Sequence, residues 1–142
     1  MTWTRLTSSA SFSGRYQHGC AVVGTQIVLV GGRSSTGFLN DVWASNDTGS
    51  SWAQKASENL AMRACFGLAT FLGQLWVIGG FGSGFYNDVW YTNGTTVSNW
   101  TLANGSVFPY PRYGMGVTVF NNRMWVSAGY SFEFGYLNDV WR

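Results

Sequence analysis

Apolar residues in this chain fall in short unbroken runs, separated at regular intervals by glycine-rich or polar segments. Ile27-Val28-Leu29-Val30, Leu75-Trp76-Val77-Ile78 and Met124-Trp125-Val126-Ser127 are the clearest of these runs. Each has the length of a strand, and apolar residues at consecutive positions suit a strand covered on both faces. A lighter run precedes the first and the third, Gly19-Cys20-Ala21-Val22-Val23 and Gly116-Val117-Thr118-Val119-Phe120. Short turns at Gly24-Thr25, Gly73 and Asn121-Asn122 lead into the apolar runs, and glycines end them. No segment combines a helical period with caps, so almost no helix is expected.

The pattern recurs. Gly31-Gly32, Gly79-Gly80 and Ala128-Gly129 lie 48 and 49 residues apart, and a loop after each leads to Asn-Asp-Val-Trp at Asn40–Trp43, Asn87–Trp90 and Asn138–Trp141, spaced by 47 and 51. Arg15, Arg63 and Arg112 keep the same interval ahead of the lighter runs, as do Trp3, Trp52 and Trp100. Four markers in one fixed order, with a period near 50 in a glycine- and aromatic-rich chain, predict propeller blades. The Arg opening, the paired glycines, the Asn-Asp-Val-Trp strand and the Trp-bearing last strand resemble kelch repeats over essentially the whole chain. That resemblance implies four-stranded antiparallel blades around an axis, first strand inside and fourth outside. Ala128 in place of the first glycine, and Arg63-Ala64-Cys65-Phe66 without the Tyr found at Tyr16 and Tyr113, depart from the pattern.

The expected fold is therefore all-β, a propeller of three four-stranded kelch-like blades, with repeats over roughly 1–49, 50–97 and 98–142. The cycle opens on an outer strand, Trp3-Thr4-Arg5-Leu6, and closes on the third-strand motif at Trp141. Propellers typically carry about four to eight blades, and three flat sheets cannot enclose an axis without leaving apolar faces bare. A head-to-tail homodimer is expected, half of a six-bladed ring per chain, with residues 3–6 completing the last blade of a partner. A segment of a longer kelch propeller is the alternative.

Composition narrows the function. Charged residues make up only 10%, and the net charge of +2 comes without a basic cluster, so nucleic acid and anionic membrane have no electrostatic footprint here. No apolar stretch approaches the ~18 residues of a membrane span. Four Asn-x-Ser/Thr triplets, at Asn46, Asn93, Asn99 and Asn104, weakly favour a secreted protein. Cys20 and Cys65 occupy different phases of the repeat, which argues weakly against a disulfide and against a metal site.

Catalytic chemistry is thinly supplied. His18 is the single histidine, and its place at the start of an inner strand favours packing over a triad role. Of the six acids, Asp41, Asp88 and Asp139 belong to the repeated motif, where recurrence with Trp43, Trp90 and Trp141 points to a scaffold role such as pairing with Arg15, Arg63 and Arg112. The same three arginines form a candidate axial set. Ser45-Asn46-Asp47-Thr48-Gly49-Ser50-Ser51-Trp52 fits the Asp-box pattern and resembles the hairpin turn of sialidase-type propellers; Asp47 accepting backbone N–H bonds within its own turn makes it a structural device. Glu58 and Glu133 are left free in loops, a weak basis for the two carboxyls of a glycosidase.

Binding is better supported. The loops between second and third strands vary in length and carry Arg33, Phe38, Phe81, Phe85, Tyr130, Phe132, Glu133, Phe134 and Tyr136. Variation on a fixed scaffold is where specificity usually resides, and aromatic rings beside polar groups suit protein hot spots or sugar faces. The expectation is a non-catalytic binding and assembly module, without metal or cofactor, presenting these loops to a protein or glycan. A glycan-processing propeller is the alternative.

Overall fold

The computed structural model describes residues 2–55, 59–94 and 96–142. Among them every regular element is a strand, and every ladder is antiparallel. The first sheet runs β1 (Gly19–Val23), β2 (Gln26–Ser34), β3 (Gly37–Ser45) and β4 (Ala53–Lys55) in chain order. In the second, β5 (Arg63–Ala64) and β6 (Gly67–Phe71) both pair with β7 (Gln74–Gly82), followed by β8 (Phe85–Thr92) and β9 (Trp100–Asn104). The third joins β10 (Gly116–Phe120), β11 (Arg123–Ser127) and β14 (Val140–Trp141), with β12 (Tyr130–Ser131) and β13 (Gly135–Tyr136) forming a separate hairpin. The result is an all-β partial propeller of three successive blades.

One feature differs from the sequence expectation. The paired glycines do not end the second strand in the first two blades: β2 and β7 continue through them, with a register shift between Val30 and Gly32 and again between Ile78 and Gly80. Gly31 and Gly32 have φ of 53° and 97°, a left-handed pair that bulges and bends the strand while the ladder resumes beyond it. In the third blade the strand does break there, and that sheet has three strands rather than four. Residues 3–6 belong to no strand in this chain, and Trp3 stands in solvent.

The break coincides with Ala128, held at φ 57°. A side chain in the left-handed region costs ~1–2 kcal/mol, partly offset by the smaller unfolded-state freedom of alanine. Ala128→Gly is expected to raise unfolding stability by about 0.5–1 kcal/mol in urea titration; a neutral or destabilising result would show that the surroundings already accommodate the strain.

Continuous apolar runs make sense once the blades are stacked, because alternate side chains of one strand face opposite neighbours. Leu75 and Val77 of β7 join Val28, Val30 and Val42 of the first blade in one buried cluster, with Phe66 and Trp100. Ile78, and Trp76 beside it, turn the other way to Val126, Met115 and Met124 of the third blade. The first strands abut most closely. A Cβ on Gly19 would lie 2.8 Å from Leu68 Cδ2, and one on Gly67 would collide with Val117, so these two positions are glycine because the next blade fills the space.

Candidate functional site

Each blade is locked by the same four-part clamp. Arg15, Arg63 and Arg112 lie at the approach to the inner strands, and their guanidiniums reach across to the Asp of the third-strand motif in a two-pronged pair: Arg15 with Asp41 at 2.5 and 2.9 Å, Arg63 with Asp88 at 2.7 and 3.0 Å, Arg112 with Asp139 at 2.6 and 2.8 Å. Nη1 of each also donates to the carbonyl of Gly31, Gly79 or Ala128. The indole N–H of Trp43, Trp90 or Trp141 donates to the same carboxylate at 2.6–2.7 Å. The arginine side chains are 2%, 0% and 0% exposed. These three arginines, expected as a candidate axial set, each commit their guanidinium to the aspartate of their own blade.

The electrostatics follow. Burial pushes the Asp41 and Asp88 carboxyls up, but hydrogen bonds from Arg15 and Trp43, or Arg63 and Trp90, together with the nearby positive charge, carry both below the ordinary value. For Asp139 the Arg112 hydrogen bond dominates and the carboxyl falls to about 2.

On the loop side the clamp presents the bend after the paired glycines, where Arg33, Phe81 and Tyr130 occupy equivalent places, bridged to Tyr16, Ala64 and Tyr113. From these positions rings link across all three blades. The Arg33 guanidinium lies over Phe38 at 5.1 Å, Phe38 meets Phe81 edge-on at 4.8 Å, and Phe81 packs on Phe85 and Tyr113 at 5.8 and 5.4 Å. Phe85 stacks on Phe132 at 5.5 Å, while Tyr113 continues through Tyr130 to Tyr136, each step 5.3 Å. The band has one cationic end at Arg33 and a carboxylate, Glu133, beside its Phe132 end.

A family model matches residues 1–129: the KLHDC2/KLHL20/DRC7 Kelch-repeats domain. The chain belongs to the kelch-repeat family. No curated protein matches it in sequence. Kelch-repeat domains commonly mediate protein interactions and are typically non-enzymatic.

Of the nine kelch-loop residues expected at a binding surface, seven fall on the one band: Arg33, Phe38, Phe81, Phe85, Tyr130, Phe132 and Tyr136. Glu133 lines a groove of about 190 Å³ with Phe85, Pro111, Ser131 and Phe132. Phe134 stands apart from the linked rings, against Tyr110. Phe132 and Tyr136, 76% and 92% exposed, are the most solvent-facing rings of the band. Sequence reasoning missed Tyr113, which joins the second blade's rings to the third's. Its signal was its place directly after a repeated Arg, shared with Tyr16.

The remaining kelch candidates are taken up structurally. Asp47 accepts from Ser51 N–H at 2.9 Å, Ser51 Oγ at 2.6 Å and Ser45 Oγ at 2.8 Å, and the Ser51 bonds bring its carboxyl to about 2. Trp52 Nε1 donates to Gly49 O, fixing the next strand to the turn. Replacing Asp47 by Ala removes three acceptor contacts, and a lower thermal unfolding midpoint is expected; an unchanged midpoint would contradict a clip role. Glu58 lies outside the described residues. Cys20 and Cys65 are free thiols, and burial pushes both up from the usual cysteine value.

Proposed function

We propose that this kelch chain is a non-catalytic binding module whose partner docks on the aromatic band of the loop face, and that the chain self-associates as a homodimer to close a six-bladed ring. The observation that carries the first part is the band itself: rings from the loops of all three blades in continuous contact, with Phe132 and Tyr136 left to solvent. Exposed rings between a guanidinium and a carboxylate have the make-up of a protein hot spot, where aromatics and Arg supply most of the affinity. Carbohydrate binding is the second reading, favoured by the stacked pair Phe85 and Phe132, whose faces suit a sugar ring. The Ser45–Trp52 turn, Asp-box-like in pattern, serves as a hairpin clip and not as catalytic machinery.

Peptides selected from a random library on the wild-type chain provide the test. Phe132→Ala is expected to weaken the selected peptides at least about tenfold, corresponding to ~1.4 kcal/mol, with the thermal midpoint unchanged because the ring is exposed. Undiminished binding in both Phe132→Ala and Arg33→Ala would reject this surface. A glycan-array signal lost in Phe132→Ala, without any peptide selected, would move the assignment to carbohydrate.

A further inference from the structure

The seams between blades follow one rule, and the rule specifies what the two end faces accept. At each internal seam a glycine on the first strand of one blade receives the side chain of the second residue of the next blade's first strand. Gly19 faces Leu68 and Gly67 faces Val117, and a Cβ on either glycine would lie 3.1 or 3.3 Å from its neighbour's Cβ. By register the third glycine is Gly116, paired with Ser127 as Gly19 is with Val30 and Gly67 with Ile78. Its Cβ space meets only the Ser127 side chain and backbone of its own blade, so here no next blade imposes glycine. The residue equivalent to Leu68 and Val117 in the first blade is Cys20, which is exposed.

A second series runs along the same seams. Cys65 N–H donates to Gln17 O at 3.1 Å and Gly114 N–H to Cys65 O at 2.7 Å, each the second residue after a repeated Arg, each with positive φ. Continued by one more step, the series would pair a Gln17 N–H with the Gly114 carbonyl. The faces match in character as well: Phe120 and Val140 on the third blade are 62% and 64% exposed, and Val22 on the first is 59% exposed. Val140 occupies the place of Val42 and Val89, both buried at internal seams.

We infer that the third blade's outer face takes the first blade of a second copy, Gly116 seating its Cys20 and the Gly114 carbonyl accepting from its Gln17 N–H, while residues 3–6 of that copy add the fourth strand beside β14. This rests on the self-association proposed above and specifies its seam. The seam departs from the internal ones at one point. Gly31 and Gly79 leave room for the next blade's Arg63 and Arg112 carbonyls, at 2.9 and 2.7 Å from a hypothetical Cβ, whereas Ala128 carries a real one. The intermolecular seam is therefore slightly wider there, and Ala128→Gly tightens it.

The Cβ separations at the internal seams are close to those of a disulfide, for which ~3.5–4.5 Å is usual. Gly116→Cys is thus expected to join Cys20 of a second copy under mild oxidation, giving a covalent species of twice the single-chain 15.6 kDa that collapses on reduction and is absent in Gly116→Cys/Cys20→Ser. Two-chain mass for the wild type without this cross-link overturns the seam and leaves self-association standing; single-chain mass for the wild type overturns both. Should Gly116→Cys fail to fold, maleimide labelling decides. Cys20 of the wild type is expected to label at least tenfold more slowly than Cys20 in the Val140→Asp chain, and equal rates overturn the seam.

Discussion

Asp88→Ala is expected to unfold the chain or bring it to the edge of unfolding, with a loss of about 3–5 kcal/mol. The reason is the partner left behind: Arg63 is fully buried, and its guanidinium would lose both carboxylate bonds while keeping only the Gly79 and Ala61 carbonyls as acceptors. A loss of that size is a large fraction of the ~5–15 kcal/mol that holds an ordinary domain together. The three clamps share the same Arg, Asp, Trp and carbonyl partners, so differences among them report mainly on the surroundings. Asp41 and Asp88 side chains are 18% and 17% exposed and Asp139 is 36%, which predicts that Asp41→Ala approaches the cost of Asp88→Ala and that Asp139→Ala costs distinctly less. Replacing both partners, Arg63→Met with Asp88→Leu, is expected to recover much of the loss, because an apolar pair leaves no charge stranded. Urea titrations followed by tryptophan fluorescence measure all four. Equal and small effects, below about 1 kcal/mol in each single variant, would contradict the clamp as a main stabilising device.

Acid is expected to release the three clamps together. The sign follows from the carboxyls: Asp41, Asp88 and Asp139 all have folded values below the unfolded value of 3.8, Asp139 at about 2. Groups lowered on folding add stability that is fully present above the unfolded value and is lost as pH falls through the folded one. Stability should therefore be flat with respect to these groups from pH 7 down to near 5, then fall increasingly steeply below pH 4 towards 2. Because protonation removes the negative partner of two fully buried guanidiniums, the acid transition should be cooperative across blades. In Asp139→Asn the loss should be shallower over the same interval. Stability that holds unchanged at pH 2.5 would show that the pairs are not coupled to folding.

Much of the scaffold was legible because its physics is local and repeated. The Arg, the Gly-Gly and the Asn-Asp-Val-Trp recur at fixed spacing because they are parts of a single hydrogen-bonded object, the Arg63–Asp88–Trp90 clamp against the Gly79 carbonyl and its counterparts. What the sequence misplaced concerns geometry between elements. Gly31-Gly32 reads as a stop, but a left-handed pair inside an antiparallel ladder bulges the strand and lets Arg33 rejoin it opposite Phe38. The pairing of Arg15, Arg63 and Arg112 with the motif aspartates was readable from the recurrence of both in every unit; the two-pronged geometry and the burial of the guanidiniums, across 25 to 27 residues of chain, depend on how the third strand returns beside the first approach.

The loop face was legible as a set of aromatic residues and not as a surface. Nothing in the order Phe38, Phe81, Phe85, Phe132 says that these rings touch, since each comes from a different strand or loop, and the ring that makes a second link between the second and third blades, Tyr113, sits in a segment the repeat assigns to scaffold. Phe134 carries the same chemistry two residues from Phe132 yet packs on Tyr110 away from the linked rings. The end faces show the complementary case. Gly19, Gly67 and Gly116 look equivalent in sequence, and only the packing reveals that a side chain at the first two would meet Leu68 and Val117 of the next blade while one at the third would meet only Ser127 of its own blade.

Sedimentation equilibrium of the wild-type chain at micromolar concentration and neutral pH tests the central claim, that three kelch blades are completed by a second copy. The account predicts a mass twice the single-chain 15.6 kDa. A stable, well-folded species at 15.6 kDa, with its tryptophan fluorescence and unfolding midpoint independent of concentration, would contradict it.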